Sequence, residues 1–137
     1  MIPGSVAMTT ELFYLACTAT LTALLWAPYI LDRFATRGLA STIGYPERPA
    51  AQSPWAVRLM QAHSNAVENL AVFTALVLVA HATGANGEGT ALAAAVYFWA
   101  RLVHAVAYAL AVPWVRTLAF LAAFGAQMVF AWQVLVA

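Results

Sequence analysis

Lysine is absent from the 137 residues, and charge of either sign is scarce, at 8% of the chain. A soluble domain carries about 25% charged residues. The six basic side chains are all Arg, set against one Asp and four Glu. A net charge of +1 leaves no basic patch to displace phosphate counterions, so no nucleic acid is expected as a partner. The single cysteine, Cys17, excludes an intrachain disulfide and reads as a small apolar residue. Met1–Thr10 holds no Lys or Arg. The basic region of a secretory signal peptide is therefore missing, and the first apolar segment is expected to remain as a membrane helix.

What is present is apolar: 64% hydrophobic residues and a mean hydropathy of +0.81. A soluble bundle of this length needs a mostly polar exterior, which this composition does not supply. Crossing about 30 Å of hydrocarbon takes roughly 20 helical residues. Four stretches qualify, predicted as helices over residues 9–34, 54–81, 90–112 and 114–136. The expected fold is all-α, an integral membrane four-helix bundle occupying residues 1–137 as one domain.

Pro28 is expected to kink the end of the first helix, and Asp32, Arg33 and Arg37 to mark its membrane interface. Residues 38–54 form the one long polar connection, closed by Ser53 as an N-cap with Pro54 at the first helical position. Residues 81–90 read as a short glycine-rich loop, and Pro113–Trp114 as a tight third connection. Arg33, Arg37 and Arg48 lie in the first connection, and Arg58 follows it. The positive-inside rule then puts that loop in the cytoplasm and both termini outside, with Arg116 again on the cytoplasmic side.

Several polar residues fall where lipid does not tolerate them. On the second helix Arg58, Gln61, Asn65 and Glu68 are spaced three, four and three apart, sharing one stripe. On the third, Arg101, His104 and Tyr108 make a second stripe, and the fourth begins with Arg116 and Thr117. A charge at the bilayer centre costs at least about 2.5–3.5 kcal/mol on insertion scales, so these groups must face one another, a second subunit or water. An antiparallel arrangement predicts an ion pair between Glu68 and Arg101. Thr18, Thr20, Thr22 and Gln127 suit interhelical hydrogen bonding. The His residues have no metal-ligand spacing, and no metal site is expected. The Arg excess leaves a cation without a partner, which favours a small acidic ligand entering from the cytoplasm and an apolar partner or lipid reaching it from the bilayer.

The helix-two pattern R-x-x-x-A-H-x-N-x-x-E-N (58–69, with Phe73 beyond it) and the helix-three pattern R-x-x-H-x-x-x-Y (101–108), followed by Pro113 and Arg116, resemble the MAPEG family. That family comprises membrane-associated proteins in eicosanoid and glutathione metabolism. The chain looks most like its short bacterial members, which implies a bacterial inner-membrane location. The resemblance implies a homotrimer of four-helix subunits with glutathione in clefts between them. It further implies that Asn65, Glu68, Arg101, His104 and Tyr108 line the glutathione site. Arg116 is similar to the arginine that holds the thiolate, with Thr117 as the adjacent hydroxyl, while Arg33 or Arg37 reaches the glutathione carboxylates. The activity so implied is a glutathione-dependent transferase or peroxidase acting on small lipophilic electrophiles. Three departures stand out: Ser64 and Gln61 replace frequent basic residues, and Phe120 replaces a frequent tyrosine. A non-catalytic lipid-binding or accessory role on the same scaffold is the alternative.

Overall fold

The computed structural model describes residues 7–136; the reading of the first six residues and of Ala137 lies outside them. Five helical segments build four membrane-crossing units. These are α1 (Thr10–Leu24) and α2 (Trp26–Ile43) end to end, then α3 (Pro54–Thr83), α4 (Glu88–Ala109) and α5 (Pro113–Val136). With their length and apolar surfaces they make an all-α integral membrane bundle.

The break between α1 and α2 falls at Leu25, three residues before Pro28. A proline lacks the N–H for the carbonyl four residues back and crowds it, here Leu24, so the kink sits one turn upstream of the ring. Helical structure then continues to Ile43, well past the expected end near residue 34. Gly38, at φ 75°, is the one non-helical residue within it. Three side chains of α2 hold the following segment back against the bundle. Arg33 Nε donates to Gln52 Oε1 (3.2 Å), Arg37 Nε donates to the Ala50 carbonyl (2.7 Å), and Asp32 Oδ2 accepts the Ser53 N–H (3.0 Å). Pro54 opens α3 as expected, but the Ser53 side chain makes no cap hydrogen bond. The α2 carboxylate serves that end of the helix instead.

The remaining turns are short. Gly84, at φ 71°, ends α3 in the left-handed conformation, and the Ala85 N–H reaches the Ala80 carbonyl (2.9 Å). The turn between α4 and α5 has the same form, with the Val112 N–H on the Ala107 carbonyl (2.9 Å), but its left-handed residue is Ala111, at φ 59°. Arg58 Nε supports this turn by donating to the Ala109 carbonyl (2.9 Å).

Alanine sets how closely the helices approach. Ala93, Ala94, Ala100, Ala119, Ala123 and Ala126 are buried in the core around α4 and α5, the most extensive helix pair. Small side chains admit close backbone contact where lipid supplies no hydrophobic drive. Phe73 of α3 completes the core, stacked on Tyr97 at 3.7 Å and edge-on to Phe130 at 5.7 Å. The α1 threonines differ from expectation. Thr18, Thr20 and Thr22 donate to the carbonyls of Tyr14, Ala16 and Thr18 in their own helix, satisfying themselves without bridging neighbours. Gln127 does bridge, donating to the Asn69 carbonyl of α3 (3.1 Å). At the far end, Thr90 of α4 donates to the buried Glu11 carboxylate of α1 (2.6 Å).

Candidate functional site

The polar face of α4 points inward between α3 and α5. Tyr97, Arg101, His104 and Tyr108 recur at intervals of four, three and four, the repeat that keeps side chains on one face. Arg101 and His104 are each 3% exposed. Arg101 Nη2 donates to Asn65 Oδ1 of α3 at 2.7 Å, joining the two predicted stripes. The His104 ring meets Tyr108 edge-on at 5.6 Å and Phe120 of α5 at 6.1 Å. The Arg116 guanidinium, from the first turn of α5, lies 4.9 Å from the centre of the Tyr108 ring. A cation over an aromatic face is held by about 0.5–2 kcal/mol, the larger figure applying where water is excluded. The Asn65–Arg101 pair and the His104–Tyr108–Arg116 group thus follow one another as a column along the inner face of α4, drawing on three helices.

Other predicted residues stand apart from this column. Glu68 is exposed, and Arg101 bonds Asn65 in place of the expected ion pair with Glu68. Positions 65 and 68 differ by three residues, which turns them about 60° apart on the helix. That is enough to put Asn65 toward α4 and Glu68 outward. Gln61 and Ser64 are exposed on the same outer face of α3 as Glu68. Thr117 is exposed as well, and Arg33 and Arg37 hold the first connection as described.

Two contributors were not anticipated. Tyr97 extends the α4 stripe by one turn, and its position four residues before Arg101 was the available signal. Tyr29 of α2 shares a hydrogen bond with His63 Nδ1 of α3 (2.8 Å), and the Tyr29 carbonyl accepts from Gln52 (2.9 Å), tying the first connection to the helix that carries Asn65. A separate groove of about 560 Å³ runs along the opposite side of α4, between Leu92, Trp99, Val103 and Leu118. It is apolar and shares no residue with the column.

Arg and His groups buried among aromatic rings, within helices long and apolar enough to cross a bilayer, define a membrane protein with polar groups enclosed in its bundle. The chain belongs to the MAPEG family, whose model matches residues 12–136. Membership carries a general role in lipid, eicosanoid or glutathione metabolism. No curated protein matches the chain.

Proposed function

We propose that the protein is a glutathione-dependent membrane transferase or peroxidase acting on small lipophilic electrophiles. The observation that carries this reading is the column itself: Arg101 and Arg116 supply two cations on one inner face, with His104 and Tyr108 between them and Asn65 as an amide on Arg101. Glutathione bears two carboxylates, an ammonium, two amides and a thiol, and the residues present fit that set. Arg101 has N–H groups left over after bonding Asn65. Glu68 is a free carboxylate for an ammonium, and Arg33 and Arg37 lie at the mouth beside the first connection.

When bound, glutathione supplies the thiol that acts as nucleophile. Arg116, with the exposed hydroxyl of Thr117 next to it in the chain, would hold the sulfur in its anionic form, since a nearby cation lowers a thiol pKa and raises the thiolate fraction. Tyr108 keeps the Arg116 head in place through its ring. The electrophile, being lipophilic, would arrive from the hydrocarbon.

The exposed carboxylate of Glu68 supports assembly. It lies fourteen residues after Pro54 and fifteen before Thr83, so it sits near the bilayer midplane. A bare carboxylate there is costly, by about 2.5–3.5 kcal/mol on insertion scales for a central Asp. The Gln61–Ser64–Glu68 face of α3 is where the subunits of a homotrimer meet, with the first connection cytoplasmic, both termini outside, and the bacterial inner membrane as the location.

A second reading, a non-catalytic lipid-binding protein on this scaffold, is favoured by Phe120, which puts a ring without a hydroxyl against His104. Titration of the purified protein with glutathione separates the two: heat at millimolar glutathione, reduced in Arg116→Ala, supports the enzyme. No heat supports the lipid-binding role.

A further inference from the structure

The first connection is polar by composition, yet it presents three large apolar or aromatic side chains outward. Leu39 is 64% exposed, Ile43 69%, and Tyr45 fully. Leu39 and Ile43 are four residues apart on the last helical turn of α2, so they share one face. Ser41, on the opposite side of that turn, and Thr42, at its flank, are half-buried.

Gly38 decides where this turn lies. Its φ of 75° breaks α2, and Thr42 Oγ1 then donates to the Arg33 carbonyl at 3.2 Å. In an unbroken helix those two residues would stand about 14 Å apart along the axis. The turn has therefore folded back to the level of Arg33. That level is a membrane boundary, because Asp32 and Arg33 are the first charges after the apolar run of the first span. Asp32 also accepts the Ser53 N–H, one residue before α3 begins, so one span ends and the next starts there. Arg37 on the Ala50 carbonyl holds the rest of the segment at the same end of the bundle.

We infer that the Leu39–Ile43 turn is an interfacial foot, whose partner is the phospholipid leaflet around the protein. Leu39 and Ile43 enter the acyl-chain boundary, and Tyr45 lies among the headgroups, the depth that suits an apolar ring with a polar tip. Arg48, exposed further along the segment, supplies a cation for lipid phosphates. A segment tied to spans at both ends stays against the bilayer surface, so its apolar face meets lipid. The foot braces the connection that Arg33 and Arg37 organise. This goes beyond the proposed activity and does not depend on glutathione binding.

Spin labels in phosphatidylcholine nanodiscs test it, attached on a Cys17→Ala background to Ile43→Cys and to Glu47→Cys, an exposed position beyond the foot. Oxygen concentrates in hydrocarbon and a nickel chelate in water, so the ratio of their collision rates with the label reads depth. The oxygen-to-nickel ratio should be several-fold higher at 43 than at 47, and Leu39→Cys should match 43. The label's own affinity for lipid is common to all three and cannot produce the difference. Equal ratios at 43 and 47 would overturn the inference. Weak collisions with both reagents at 39 and 43 would overturn it too, since a second copy of the chain would then cover this face.

Discussion

Replacing Asn65 with alanine removes the side-chain partner of a buried cation, and its cost can be set from the geometry. Arg101 is 3% exposed and, among the described residues, its one side-chain hydrogen bond goes to Asn65 at 2.7 Å. Interhelical hydrogen bonds measured in membrane proteins average about 0.6 kcal/mol and reach about 1.7. Bonds to charged groups in general contribute about 1.5–3 kcal/mol. The two ranges overlap at about 1.5–1.7 kcal/mol, so Asn65→Ala is expected to lower the folded-to-unfolded ratio by roughly 10- to 20-fold. Gln127→Leu provides the comparison, since it deletes a neutral bond to the Asn69 carbonyl and should cost nearer 0.6 kcal/mol. Detergent-titrated unfolding in mixed micelles, followed by circular dichroism, measures both. Asn65→Asp should hold or raise stability by placing a carboxylate on Arg101, while weakening binding of anions. Equal losses for Asn65→Ala and Gln127→Leu would refute the view that the Arg101 charge dominates the column.

Other outcomes follow from the same geometry. Ala111 adopts φ 59°, a conformation that costs an L-residue roughly 1–2 kcal/mol. Glycine removes that cost but loses more entropy on folding, so Ala111→Gly should raise stability by up to about 1 kcal/mol, and Ala111→Val should lower it. Ser64→Trp, on the exposed polar face of α3, should break self-association as judged by native mass spectrometry, whereas Leu121→Trp on the lipid-facing side of α5 should not; an intact oligomer with Ser64→Trp would put the interface elsewhere. Phe120→Tyr adds a hydroxyl beside His104 and should strengthen the thiolate absorbance of bound glutathione, with no change counting against a sulfur in that neighbourhood.

Sequence reasoning reached the spans because hydropathy and helix length are local properties. It misplaced the end of the first helix, because Asp32 and Arg33 look like a membrane boundary. A helix need not stop where the lipid does when Gln52, Ala50 and Ser53 supply partners for its side chains. Periodicity put Asn65 and Glu68 on one stripe, yet a stripe about 60° wide can straddle a helix contact, and only the neighbouring helix decides which edge turns inward. The α1 threonines show the same limit, since back-bonding to the carbonyl four residues earlier leaves no mark in the spacing. Tyr97 was readable as part of the α4 stripe, but an aromatic residue in an apolar run is ordinarily core. Its core packing on Phe73 is indeed there, and the polar end is what the stripe adds.

If this column holds an anionic thiol, the ultraviolet absorbance of glutathione thiolate reports it directly. Titrating the wild-type protein with glutathione near neutral pH should produce a saturable thiolate band. Arg116→Ala should lose that band while retaining part of the binding heat through Arg101 and Asn65. The absence of both heat and a thiolate band at millimolar glutathione, from correctly assembled protein, would rule out a thiolate site in the column.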